Sequence, residues 1–343
     1  MNATIKLEKE KHFPVLLDEL ISIISPHYGG TFIDCTLGHG GYSLKILEEK
    51  TNKVIAFDRD TEALKIANQL KLKFKNRFTF KNDKFSEIIS LNNSEKKIKG
   101  IIFDLGYSSS QINDPNKGLS FNFEGKLNMK MGINNISAHE TINNLDAKNL
   151  KNIFTYFGEE TYAKLIVKKI CQMRKEKILL TEDLVQIINI VKKNKKKKIH
   201  NATKVFQALR IFVNQEISEL INGLVNSFKV IPVGGIIAVV TFHSIEDKIV
   251  KYFFKNYSEK LNPSRYIPNS FKGDKLFKLI RKKPITPTFK EIKINPRSRS
   301  AKLRYAIKVS NQSDFSEFFK KFDYLLKVET LINKLWKKYL QYP

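Results

Sequence analysis

The run Thr31-Phe32-Ile33-Asp34 opens into Cys35-Thr36-Leu37-Gly38-His39-Gly40-Gly41, and a second apolar run, Val54-Ile55-Ala56-Phe57, ends in Asp58, twenty positions after Gly38. Short β-branched and aromatic runs bounded by glycine read as buried strands. A strand, a glycine turn and a helical stretch form the first part of a βαβ unit. Glycine lets the backbone come close to a ligand, and an acid about 20 residues further on accepts hydrogen bonds from ribose hydroxyls. The pattern points to a nucleoside cofactor.

Outward from this turn, strands are predicted at 31–35, 53–58, 77–81 and 99–104, with helices near 41–50, 60–73 and 85–91. Such alternation builds a parallel sheet covered on both faces. It stops after Asp104-Leu105-Gly106. Residues 112–145 are loop-rich, residues 146–193 read as helices, with Thr181 starting one of them, and Lys192 to Lys198 reads as a solvated connector. A single long helix is predicted at 204–229, then a buried strand from Ile236 to Thr241 and a helix from Ser244. The predicted organisation is a core in two parts, 1–111 and 206–310, a helical insertion at 112–205 for substrate recognition, and an added C-terminal helix in 311–343.

Only Cys35 and Cys171 are present, which excludes a disulfide scaffold or zinc cluster and fits a reducing cytoplasm. The longest apolar stretch, Val230 to Phe242, is interrupted by Pro232 and two glycines and is too short to span a bilayer. Residues 1–11 are charged and lack the apolar core of a signal peptide, so a soluble cytoplasmic protein without membrane association is expected. The formal net charge is +27 and unevenly placed. Residues 1–111 carry 17 Lys/Arg against 14 Asp/Glu, residues 112–205 carry 18 against 9, and residues 248–310 carry 18 against 3. A compositional bias toward lysine would not spare the first 111 residues, so the basic later segments indicate a nucleic-acid partner.

The glycine pattern lacks the third spaced glycine of dinucleotide-binding turns, and Asp34 ends the first strand. A carboxylate beside that turn disfavours pyrophosphate and favours a cationic amino-acid group. S-adenosylmethionine carries an ammonium, a sulfonium and a ribose diol but no phosphate, so it suits the turn better than NAD. Asp34 also reads as a turn residue, and Asp58 as a cap on the next helix. Ligands of open α/β sheets bind beyond the carboxyl ends of the strands, which puts Asp104, at the end of the fourth, beside the reactive methyl. An exocyclic base amine is a weak nucleophile because its lone pair is delocalised into the ring. An oxygen accepting its N–H helps localise that pair, and Asp104 is the candidate catalytic residue for this role.

Several motifs together resemble one family. They are His12-Phe13-Pro14-Val15-Leu16-Leu17-Asp18-Glu19, the Asp34–Gly41 turn, Phe103 to Gln111, Gly118-Leu119-Ser120-Phe121, Tyr156 to Glu160, Phe206 to Glu216, Thr241 to Lys248 and Asn295 to Arg304. In this order they resemble the bacterial ribosomal RNA small-subunit (cytosine-N4) methyltransferases, the RsmH or MraW family. The resemblance implies a class I, Rossmann-like α/β methyltransferase fold with an inserted helical domain. It implies methylation of N4 of a cytidine in the decoding centre of 16S rRNA, with the rRNA presented within the small ribosomal subunit. It places S-adenosylmethionine against Gly40, Gly41, Tyr42, Asp58, Phe85, Asp104 and Gln111. The chain departs from the family with Tyr42 in place of His, Ser110 in place of Pro, and Asn128-Met129-Lys130-Met131 in place of Asp-Met-Arg-Met.

Arg210 and Asn214 share a helix face with Phe206, and His243 follows the fifth strand; all three polar residues are candidates for touching substrate. His243 reads equally as a helix cap. Arg297, Arg299 and Arg304 stand among serines in a chain that otherwise prefers lysine, as phosphate contacts or guanidinium stacking would favour. Two alternatives stay open: a non-catalytic RNA-binding ribosome-assembly factor, and a methyltransferase acting on another nucleic-acid base.

Overall fold

The computed structural model describes residues 14–94, 98–132, 136–192, 199–258, 275–312, 314–333 and 335. The strands are β1 (Gly30–Asp34), β2 (Asn52–Phe57), β3 (Phe78–Lys81), β4 (Ile98–Asp104), β5 (Ile236–Thr241), β6 (Phe277–Lys278) and β7 (Lys302–Lys308), in sheet order β3-β2-β1-β4-β5-β7-β6. The first five run parallel, and β7 is antiparallel to both β5 and β6. Strand order reverses between β1 and β4, the place where open sheets leave a ligand crevice.

Both faces are apolar because successive side chains alternate. Ile33, Ile55, Ile101, Phe103 and Val239 enter one core, and Phe32, Val54, Ile102, Ala238 and Val240 enter the other. Helices α1 (Leu17–Ile24), α2 (Gly41–Leu47) and α3 (Ala63–Phe74) cover the second face. Between β4 and β5 come α4 (Ser109–Asn113), α5 (Ala138–Asn144), α6 (Ala147–Tyr156), α7 (Ala163–Met173), α8 (Thr181–Lys192), α9 (Thr203–Asn214) and α10 (Glu216–Val230). Their apolar faces join the first core, so Phe154, Ile170 and Ile188 share one cluster with Leu209, Phe212 and Phe103. The chain ends with α11 (Ser244–Asn256), α12 (Phe289–Ile294) and α13 (Ser316–Glu329).

Three expectations change. The helix predicted at 204–229 is two helices, broken at Gln215, which takes a left-handed φ of 50°. Tertiary bonds hold the break. The Arg59 guanidinium donates to the Asn214 carbonyl at 2.7 and 2.8 Å, and Glu329 of α13 accepts from the Ile217 and Ser218 N–H groups at 2.7 and 2.8 Å. At the other end of α10, Lys308 of β7 donates to the Phe228 and Ile231 carbonyls, both at 2.7 Å. Strands β6 and β7 were not foreseen. Finally, Lys192 is no solvated connector: it is buried, with Nζ 2.5 Å from Glu160. The rest of that run, 193–198, lies outside the described residues.

Candidate active site

The carboxyl ends of β1, β2 and β4 face a cavity of about 490 Å³, roofed by residues of α9, α10 and the loops after β4. Asp58 and Asp104 stand at the strand ends in its wall. Asp58 Oδ2 accepts from the Gly38 N–H at 2.8 Å and Oδ1 from the Asp60 N–H at 2.9 Å. Burial raises its pKa against these bonds. Asp104 is held by its N–H, which donates to Thr36 Oγ1 at 2.8 Å, while its Oδ1 is buried with no partner. Burial, then the charges of Asp34 and Glu246, push its pKa up to about 8. A shielded carboxylate oxygen without a donor asks for a cation or an N–H from a ligand.

The glycine turn serves two purposes. Gly38 has φ +48° and a Cα face that meets only the Thr36 carbonyl, 3.9 Å from a built Cβ, so it leaves the cavity open. Gly40, expected at the cofactor, is not part of the cavity wall: its Cα faces Ile66 and Leu70 of α3, each 3.1 Å from a built Cβ. Gly41 and Tyr42 line the cavity but are also committed to the N-terminal segment. A Cβ at Gly41 would lie 2.0 Å from Pro14, and the Tyr42 hydroxyl donates to the Val15 carbonyl. Asp34 is not part of the cavity wall either. It is fully buried, accepting from Ser43 Oγ at 2.6 Å and the Thr36 N–H at 3.2 Å, with burial raising its pKa to about 6. The turn-residue reading of Asp34 is the correct one.

Phe85 packs edge-on against Phe103 at 5.2 Å, in space that exists because residue 223 is glycine: a Cβ there would come within 2.6 Å of its ring. Gln111 caps α4, its Oε1 accepting from the Ser108 N–H, and its Nε2 donates to Asp60 at 2.5 Å. Lys117 completes this group with Nζ 2.6 Å from Asp60 and 2.7 Å from Glu62.

Opposite the strand ends, Arg210 makes a two-point bond to Glu216 at 2.9 and 2.8 Å and lies 4.8 Å from the Tyr107 ring. Beside Arg210, Phe121 and Phe206 meet edge-on at 5.6 Å. His243 is the N-cap of α11, its Nδ1 accepting from the Glu246 N–H and its Nε2 lying 3.0 Å from the Glu246 carboxylate. Burial would raise the pKa of Glu246, but His243 and Arg210 hold it below the usual range. Arg297 and Arg299 are exposed at the cavity mouth, Arg297 with Nη2 3.2 Å from Asn113 Oδ1. Two residues expected at substrate are elsewhere. Asn214 is fully buried, accepting from the Met131 N–H and donating to the Met129 and Arg210 carbonyls. Arg304, on β7, is bound to Asp247 at 2.7 Å.

The sequence reading gave no role to Lys117, Glu216 or Glu219. Glu219 accepts from the Ser86 N–H and hydroxyl at 2.8 and 2.9 Å and so fixes the start of the Phe85 turn. Glu216 ends one of the quoted motifs, but its partner Arg210 was read as facing substrate alone.

The crevice is acidic at the strand ends, has a partnerless buried carboxylate oxygen in its wall, and is lined also by aromatic and basic side chains. With five parallel strands and an antiparallel β7, this is a class I S-adenosylmethionine-dependent methyltransferase. The MraW methylase family matches residues 9–309, and the chain belongs to that family. It is 41% identical over 305 residues to the ribosomal RNA small subunit methyltransferase H of Rickettsia bellii (strain OSU 85-389), covering 88% of this chain and all of the relative. The protein of the same name from Orientia tsutsugamushi (strain Ikeda) is 41% identical over 309 residues, covering 87% of this chain and 98% of the relative. A solved rRNA methylase from Streptococcus thermophilus aligns over 85% of this chain and 96% of its own, with 11% identity and a TM-score of 0.38. Among the described residues no helix is long and apolar enough to cross a membrane.

Proposed function

We propose that this enzyme methylates the exocyclic N4 of a cytidine in 16S rRNA of the small ribosomal subunit, in the decoding centre. The observation that carries the reading is that one cavity is lined by the strand-end acids Asp58 and Asp104, by Phe121, Phe206 and Arg210, and by the exposed Arg297 and Arg299. The names of the relatives support the same substrate class.

When bound, S-adenosylmethionine supplies an electrophilic methyl group on a sulfonium. Asp58 would accept hydrogen bonds from its ribose, the Gly38–Tyr42 turn would border its methionine part, and Phe85 and Gln111 would border its adenosine. The open face of Gly38 and the free oxygen of Asp104 fit such a cation. Its charge would favour the ionised form of Asp104, whose cavity-facing oxygen would then accept the N4–H of the target. That contact would localise the nitrogen lone pair as the C–N bond forms and the methyl's bond to sulfur breaks, its electron pair staying on sulfur, and the extra amine proton would pass to water after transfer. The target base must be unstacked, because pairing hides its amine. Phe121 and Phe206 offer apolar surface for the extruded ring. The basic segment 112–205 and the arginines of the mouth would guide the RNA backbone.

Methyl incorporation into small subunits from cells lacking the enzyme, followed by mass mapping of 16S rRNA, tests the proposal. A single N4-methylcytidine is expected. Label on an adenine, or on DNA alone, would overturn it. Absence of S-adenosylmethionine binding in calorimetry would instead favour an assembly factor.

A further inference from the structure

A second cavity of about 420 Å³ opens beside the first. Thr203, Gln207, Phe242, His243, Arg299 and Ser300 line both, so the two adjoin along a shared wall. The far side of the second cavity is formed by Glu159, Lys204, Ser244 and Thr286. Its one carboxylate is already satisfied: Glu159 accepts from Ser244 Oγ at 2.7 Å and from Lys248 Nζ at 2.5 Å. The Lys204 Nζ donates to the Glu159 carbonyl at 2.7 Å and adds positive charge. Among the described residues, the Arg299 guanidinium and the hydroxyls of Thr203, Thr286 and Ser300 make no bond within the protein. A cleft with uncommitted hydroxyls, a free guanidinium and a neutralised carboxylate is matched to sugar hydroxyls and a phosphate, its two ring side chains, Phe242 and His243, belonging also to the wall of the first cavity.

We propose that the second cavity holds the ribose-phosphate of the nucleotide next to the target on the same strand. This rests on the reading of RNA as the substrate. A base drawn out of its stack carries its backbone with it, so the neighbouring phosphate must follow the target to the enzyme surface. A cleft sharing a wall with the base pocket receives it without a further bend. Binding here raises affinity for RNA and fixes which strand direction enters the site, while cofactor affinity is independent of it.

Steady-state methylation of small subunits lacking the modification tests this with the full-length enzyme. Thr286 lines only the second cavity, and Thr286→Trp fills it. The KM for subunits should rise about tenfold, with kcat within about twofold and S-adenosylmethionine affinity unchanged. Thr286→Val combined with Ser300→Ala removes two hydroxyls at little change of volume and should raise KM about threefold. A neutral methylphosphonate at the linkage beside the target should weaken binding to wild type but not to Arg299→Gln. Wild type that methylates subunits while all three perturbations leave KM unchanged overturns the second cavity alone. Wild type that fails to modify cytosine in subunits overturns the substrate reading itself.

Discussion

Replacing Asp104 by Asn tests whether the free carboxyl at the end of β4 is neutral before ligand arrives. Asn has the shape of the protonated acid and cannot ionise. The folded-state pKa of Asp104 is about 8 against 3.8 for a solvent-exposed aspartate, because burial and two neighbouring acids disfavour its charge. A raised carboxyl pKa means that the unfolded state gives up its proton first. The stabilising contribution is therefore complete below about pH 4 and is lost as pH rises toward about 8. Four units at about 1.4 kcal/mol each set a ceiling of about 6 kcal/mol. One oxygen still borders the solvated cavity, which brings the expected loss to about 2–3 kcal/mol. At roughly 2 °C per kcal/mol for a chain of this size, wild type should lose about 5 °C of melting temperature relative to Asp104→Asn between pH 5 and 8.5. A cationic ligand favours the ionised carboxyl, so S-adenosylmethionine affinity should rise with pH across about 6–8 in wild type and stay flat in Asp104→Asn. Thermal melts and calorimetry across pH measure both. Parallel melting curves for the two proteins, or equal pH dependence of binding, would refute the assignment. Methyl transfer by Asp104→Asn should be lost.

Glu329→Ala leaves the buried N–H groups of Ile217 and Ser218 without an acceptor and should cost about 2–4 kcal/mol in denaturant melts. Glu329→Gln, retaining one acceptor oxygen, should cost less, and equality of the Ala variant with wild type would show the bonds to be inert. Arg210→Lys loses the two-point bond to Glu216 and the contact with Tyr107, and should lower kcat/KM for RNA about tenfold at constant cofactor affinity, as steady-state kinetics would show. Gly38→Ala puts a methyl at φ +48° and into the cavity, which should cost about 1 kcal/mol of stability and weaken S-adenosylmethionine binding about tenfold by calorimetry. Undiminished affinity would remove Gly38 from the cofactor wall.

Strands β1, β2, β4 and β5 were legible because each is a β-branched or aromatic run closed by a polar residue. β7 was not: Lys302-Leu303-Arg304-Tyr305-Ala306-Ile307-Lys308 alternates charge with apolar groups, and its arginine resembled an RNA contact. In the structure that charge belongs to Asp247. The break at Gln215 has no local signal, neither Gly nor Pro, because it is held by Arg59 and Glu329 from distant parts of the chain. Asp58 and Asp104 were found since a strand-end acid in this topology faces the crevice. Asp34 occupies a similar strand-end position, and only the packing of Ser43 and Thr36 around it decides that it turns inward. Asn214 and Arg210 lie one helical turn apart, yet one fastens the Met129–Met131 segment while the other faces the cavity. Spacing gave both the same face; three-dimensional neighbours separated them.

The two side chains at the ends of α10 have a consequence for biosynthesis. Glu216 and Glu219, which line the cavity from the first turn of α10, sit on a helix whose ends are fastened by Lys308 and Glu329, both far downstream of it in the chain. A ribosome completes β1 through β5 well before it makes either fastener. The emerging chain can therefore lay down the five parallel strands early, whereas the helix presenting these two acids is secured at both ends only once Lys308 and Glu329 have been made. A product stopping short of Glu329 keeps the sheet residues and leaves two N–H groups of α10 uncapped. The acidic wall of the cavity is thus a late-completed part of the molecule, dependent on a C-terminal helix that lies beyond the matched family segment.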